Sequence, residues 1–213
     1  MVQVKKTEVR EAILKSAFRL FKRRGYVTTT TAQIAAGAKV SESNLYIYFG
    51  SKFEILFALC EPWMRSRIER LEQKLVGEAD SRRRLQIILS TLWRQMPSED
   101  NGFMNSLMQA LATTARREGY RPSLLRWTEE RIEALIMDCL PQQRRSQLSR
   151  GGFAHLLMMA QDGFVLNRHL NPDSICSDQT VDLVCDLLLG NGSRSATTRP
   201  NAARTASKAV GAV

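Results

Sequence analysis

Histidine is almost missing from this chain: His155 and His169 are the only two among 213 residues. The four cysteines, Cys60, Cys139, Cys176 and Cys185, show no C-x-x-C spacing. A zinc site or a disulfide framework needs closer clustering, so we expect no metal and read the cysteines as structural thiols in a reducing cytoplasm, with redox sensing as the alternative. No stretch of about 18 apolar residues occurs, which argues against a membrane span. The N-terminus MVQVKKTEVREAI has no apolar signal-peptide core. A nucleotide-binding glycine loop is also lacking, and with so few histidines an enzyme is not expected, nor is a cofactor.

Acidic residues are scarce in one region. Residues 1–52 hold ten Lys or Arg against only Glu8, Glu11 and Glu42, a net charge of +7. Residues 53–190 are nearly balanced at −1, and the tail from Asn191 adds +4. A basic excess confined to one end is the footprint of a phosphate-binding face.

What the chain has in abundance is helical periodicity. Val9, Ile13, Ala17, Leu20 and Phe21 make an apolar stripe over roughly 8–24. Gly25 suits a left-handed helix end, with Tyr26 packing back on Phe21. Thr30 and Gln33 form a capping box for a second helix, and Ser41 is an N-cap for a third, in which Leu45 and Phe49 share the inner face. Lys39 occupies the turn between them, and Gly37 offers an alternative place for the bend two residues earlier. Two short helices joined by a tight turn are the layout of a helix-turn-helix. Ser51 with Glu54 caps a long fourth helix interrupted by Pro62, where a kink is expected. Further helices are predicted near 82–96, ending at Pro97; from Asn101 to Arg116; from Pro122 to Cys139; at 144–169; and at 175–189. From Gly190 the sequence turns Ala/Ser/Thr/Gly-rich and reads as a disordered basic tail. This gives an all-α fold of about nine helices, divided as 1–52, 53–190 and 191–213.

The run I-A-x-x-A-x-V-S-x-x-N-L-Y-x-Y-F-x-S-K, from Ile34 to Lys52, together with Ala17-Phe18-Arg19-Leu20-Phe21 and Gly25-Tyr26, resembles the DNA-binding domain of TetR/AcrR bacterial transcriptional regulators. The resemblance covers residues 7 to about 60. It implies an N-terminal three-helix helix-turn-helix domain joined to a helical-bundle ligand-binding and dimerisation domain. Carried onto this sequence, Glu42, Ser43 and Asn44 are candidates for reading base edges, and Ile47 for meeting a thymine methyl. Thr30, Tyr46, Tyr48 and Lys52 become candidate phosphate contacts, with the fourth helix's N-terminus adding its dipole. Plainer roles compete: Tyr48 and Ile47 in packing, Ser41 as a cap, and the Lys5-Lys6 arm as a solvated end.

For the body, the resemblance implies a homodimer and a small-molecule effector. Gly152, His155, Leu156, Met159 and Gly163 on one helix, and Val181, Val184 and Leu188 on the next, are the expected dimer face, pairing two-fold into four helices. Trp63, Met64, Trp93, Met96, Phe103, Met104, Leu107, Met108, Trp127, Met137 and Phe164 are the candidate lining of an adaptable apolar pocket, or else ordinary core. The expected activity is a ligand-responsive repressor on a near-palindromic double-stranded DNA operator. A DNA-coating protein with no effector is the rival.

Overall fold

The computed structural model describes residues 2–99, 102–113, 123–148 and 152–190, and all its regular structure is helical. The first helix, α1 (Val2–Arg24), begins six residues before the expected start and takes the Lys5-Lys6 segment into its first turns. Its last turn carries Lys22, Arg23 and Arg24, which oppose the negative helix end. Part of the basic excess therefore stabilises α1. Gly25 closes the helix at φ 75°, its N–H donating to Phe21 O at 2.8 Å, and the Tyr26 and Phe21 rings meet at 5.7 Å.

Helices α2 (Thr31–Gly37) and α3 (Glu42–Tyr48) cross α1 and bury Ile34, Ala35 and Leu45 against Ile13, Ala17 and Phe21. The long α4 (Lys52–Leu75) runs unbroken through Pro62. Its first half, with Phe53, Ile55, Leu56 and Cys60, completes this N-terminal core. Its second half, with Met64, Ile68, Leu71 and Leu75, enters a second and larger core.

The second core is built by α5 (Ser81–Ser90), a π-helical turn at Thr91–Gln95, α6 (Met96–Glu99), α8 (Ser123–Cys139), α10 (Phe153–Leu170) and α11 (Asp178–Leu189). Pro97 does not stop the fifth helix. The wide turn precedes it, and the chain stays helical to Glu99, because proline is tolerated in a first turn. The expected helix at 144–169 is two: α9 (Gln142–Leu148) and α10. Gly152 sits between them in the left-handed conformation at φ 62°, so it begins a helix and does not lie inside one. Residues 100–101, 114–122, 149–151 and 191–213 lie outside the described residues. With them fall the expected Asn101 start, the Arg116 end, Pro122, Gly151 and the tail.

The seventh helix, α7 (Phe103–Thr113), belongs partly to both cores. Its Phe103 and Ala110 are buried in the N-terminal one, while Met104 is buried in the other. Among the described residues no helix is long and apolar enough to cross a membrane.

Candidate DNA interface and effector region

The turn between α2 and α3 is set by a conformation that its sequence disfavours. Lys39 takes φ 59°, with Val40 N–H donating to Ala35 O at 3.0 Å and Lys39 N–H to Ala36 O at 3.1 Å. These two bonds are a Schellman ending, and a side chain in the left-handed region costs about 1 kcal/mol. The bend is thus at Lys39, not at Gly37. Gly37 answers another need: a Cβ there would overlap Ser16 Oγ. That hydroxyl donates to Ile34 O at 2.8 Å, so it is held in place. Glycine lets α2 lie close on α1.

Both expected caps are present. Thr30 Oγ1 accepts from Gln33 N–H at 3.2 Å while Gln33 Oε1 accepts from Thr30 N–H at 3.1 Å. Ser41 Oγ accepts from Asn44 N–H at 3.1 Å, which makes Ser41 a cap. At α4, Ser51 Oγ accepts from Glu54 N–H at 3.1 Å, but the Glu54 carboxylate takes Gly50 N–H at 2.8 Å, one residue earlier than a regular capping box.

Beneath α3, Leu45 and Phe49 are buried and fix the helix; above it, Glu42, Ser43, Tyr46 and Ile47 are exposed. Asn44 and Tyr48 are half-buried, Tyr48 packing against the N-terminal core. Ile47 is 73% exposed, so its side chain is available on the outer face of α3. Glu42 is not free: its carboxylate accepts from Thr31 Oγ1, which also lies 3.3 Å from Tyr46 Oη. Thr31 therefore ties the start of α2 to the exposed face of α3, a role the sequence reading missed. Only an i, i+11 pairing of a threonine with an acid hinted at it.

Lys52 is also put to a different use. Its ammonium donates to Tyr26 O at 2.9 Å and Thr29 O at 2.8 Å, and lies 4.2 Å from the Tyr26 ring centre. Burial pushes its pKa down from the ordinary lysine value. It thus joins α4 to the loop after α1, with at most one N–H left for a phosphate. A cleft of about 640 Å³ opens beside it, lined by Tyr26, Val27, Thr29, Thr30, Thr31, Tyr46, Ser51 and Lys52 among others. Hydroxyls, an ammonium and the N-terminus of α4 surround this hollow, a set of groups suited to an anion.

The body touches this module away from α4 as well. Gln109 Oε1 on α7 accepts from Tyr26 N–H at 3.1 Å and Val27 N–H at 3.5 Å. The Phe103 ring lies tilted at 5.4 Å from that of Phe18 and 6.0 Å from that of Trp63. Phe103, expected in the pocket, is thus a joint between the two cores. Trp93, Met64, Met96 and Met104 are buried; Trp63, Leu107, Met108, Trp127, Met137 and Phe164 are partly buried against the larger core. Arg65 covers the Trp127 ring at 4.3 Å. Two neighbouring surface clefts of about 550 and 220 Å³ adjoin the π turn and include, of this set, Met96 alone.

Of the expected dimer face, Gly152, His155, Leu156, Met159 and Gly163 are exposed. His155 Nδ1 lies 2.6 Å from Glu129 Oε1. Val181 and Leu188 are not on that face: both are buried in their own core, and Val184 is half-buried. Helical phase explains the error, since the exposed large apolar residues of α11 are Leu183 and Leu187. On α10, Leu156, Met159, Gly163, Leu166 and Leu170 form an exposed stripe at alternating spacings of three and four. All four cysteines are buried and none is in a disulfide, and burial raises the thiols of Cys139, Cys176 and Cys185, the last to about 11. They stay protonated and screened, as packing residues do.

These features define a helix-turn-helix DNA-binding module carried on a helical body. Residues 13–59 match the family model of bacterial regulatory proteins, tetR family. Over 70 residues, 33% of the chain, it is 39% identical to the HTH-type transcriptional regulator HbdR of Aromatoleum sp. (strain CIB), a match spanning only 31% of that protein. Over 193 residues it is 23% identical to the HTH-type nicotine-responsive transcriptional repressor HdnoR of Paenarthrobacter nicotinovorans, covering 88% of this chain and 95% of the relative. The crystal structure of a putative transcriptional regulator from Rhodococcus sp. RHA1 superposes with a TM-score of 0.61 at 19% identity, over 86% of this chain and 94% of that one. Over residues 13–59 the chain thus carries the N-terminal domain of the tetR family of bacterial regulatory proteins.

Proposed function

We propose that the protein is a homodimeric repressor that releases a near-palindromic operator when an apolar or aromatic effector enters its body. The observation that carries the DNA half is α3 itself: a helix anchored by Leu45 and Phe49 that holds out Ser43, Tyr46 and Ile47, with Asn44 at its edge. Asn44 would read adenine, Ile47 a thymine methyl, and the cleft beside Thr30, Thr31 and Ser51 would seat a backbone phosphate. Likeness along most of the chain to a nicotine-responsive repressor supports both the repressor and the effector reading.

The exposed stripe on α10, with Leu183 and Leu187 of α11, would be covered by its own two-fold copy. Such a pair sets two recognition helices about one helical turn of DNA apart, roughly 34–36 Å or a related spacing. Two connections carry an effector's influence: α4, shared by both cores, and α7, whose Gln109 and Phe103 grip the end of α1. An effector changes operator affinity only by its differential affinity for the two arrangements.

The test is a salt titration of binding to a palindrome from the gene's upstream region and to random DNA, with sedimentation at the same concentrations. A dimer with a specificity ratio above roughly 10³ is expected. A monomer, or a ratio near one, would overturn the reading in favour of nonspecific DNA coating.

A further inference from the structure

The body buries one polar side chain that nothing satisfies. Gln161 on α10 is 0% exposed, and neither its Oε1 nor its Nε2 has a hydrogen-bond partner among the described residues. An unsatisfied buried amide group costs about 1–3 kcal/mol, whereas a leucine or methionine of similar volume would cost nothing of the kind. A glutamine kept in such a place needs a reason.

Its neighbours suggest one. Leu157 precedes Gln161 by four residues and Phe164 follows it by three, so all three lie on one strip of α10. Both flanking residues hold Trp93: the indole N–H donates to Leu157 O at 3.3 Å, and the ring lies 5.5 Å from that of Phe164. Gln161 therefore sits between the two points at which Trp93 is pinned. Trp93 itself belongs to the π-helical turn Thr91–Gln95, a local widening frequently found at functional sites. Its N–H is already engaged, so it leaves the carboxamide unpaired. Met96, buried in the same core as Trp93 and Leu157, can repack to make room.

We infer that the Gln161 carboxamide is the polar anchor of the effector site and that it receives a flat, uncharged, mostly apolar ligand bearing a hydrogen-bond donor and an acceptor on adjacent atoms, as a cyclic amide does. Such a ligand pairs edge to edge with the carboxamide through two hydrogen bonds while its ring system lies among Trp93, Phe164 and Leu157. This assignment rests on reading the body as an effector-binding unit.

The experiment compares three probes of one shape: quinolin-2(1H)-one, with donor and acceptor; its N-methyl derivative, with the acceptor alone; and naphthalene, with neither. Binding to the full chain is followed by calorimetry, for the wild type, Gln161→Leu and the near-isosteric Gln161→Met. The wild type should prefer quinolin-2(1H)-one about tenfold or more over the other two. The variants should bind all three alike and melt above the wild type, because an orphaned amide has been removed. No binding or no preference in the wild type, or a preference that survives in both variants, overturns the assignment. So does a lower melting temperature in both variants, which would show the carboxamide satisfied by a buried water. Operator binding measured on the same samples separates the two levels. If specific operator binding persists without the preference, only the Gln161 assignment fails; if it is absent, the regulator reading fails with it.

Discussion

The two cores of this molecule are finished to different degrees. In the N-terminal one each short helix has its cap, the buried Ser16 hydroxyl has an acceptor, and even the lysine at the base of the module has two carbonyls. Among the described residues, both polar atoms of Gln161 in the larger core have no hydrogen-bond partner, nor does the indole N–H of Trp63, which packs against both cores; a helix of the body widens at Thr91–Gln95, and an apolar stripe faces outward. The backbone of DNA is a constant partner, so the module that grips it can be closed and fixed. Unpaired polar atoms and uncovered apolar surface in the body point instead to partners that complete it.

If that contrast is right, substitutions on the module's outer face should remove function without touching stability. Asn44→Ala with Tyr46→Ala is expected to weaken operator binding about a hundredfold, from contacts of roughly 1–3 kcal/mol each, with the melting temperature unchanged. Gel-shift titration and calorimetry on one preparation measure both. Retained sequence preference would break the comparison at its strongest point. Inside the module the expectation reverses. Gly37→Ala should destabilise by about 2 kcal/mol, because the new methyl overlaps Ser16 Oγ. Adding Ser16→Ala should recover part of the loss, measured as a double-mutant cycle in denaturant.

How much of this was readable beforehand follows the same division. Caps, the Gly25 ending and the buried pair Leu45–Phe49 are local, written at spacings of three and four, and the sequence carries them openly. The bend at Lys39 was harder to read because a lysine there contradicts propensity, and Gly37 looked like the natural substitute until Ser16 was seen against it. The intramolecular partners of Lys52 and Glu42, namely Tyr26 O, Thr29 O and Thr31, were not legible because they are distant in sequence and mostly backbone. In the body, helix existence was legible but phase was not: Val181 and Leu188 were placed outward when Leu183 and Leu187 are. Gln161 went unremarked, for a single polar letter in an apolar run gives no sign that its partner is missing.

Lys39 offers a smaller test in the module. Lys39→Gly relieves the left-handed side chain and should stabilise by about 1 kcal/mol, while leaving operator affinity within a few fold if the lysine makes no phosphate contact. A drop of about tenfold in affinity, with a shallower salt dependence, would assign Lys39 to the DNA backbone as well.

The smallest expected effect lies in the body, beside Gln161. Burial raises the Asp162 carboxyl from its ordinary value to about 6, against a partial opposing pull from His155. A carboxyl with a raised folded-state pKa binds its proton more tightly folded than unfolded. Stability contributed by this group is therefore present below about pH 4 and declines as pH rises through about 6, after which the penalty is constant. Asp162→Asn removes that penalty, so the variant should melt above the wild type at pH 7.5 and converge with it by pH 4. The group is only partly enclosed and solvent screens it, so the difference should be smaller than that at Gly37. Calorimetric melts across that range decide it: a gap that does not narrow on acidification would mean that Asp162 is charged at no such cost, and that the body, like the module, leaves its ionisable groups well provided for.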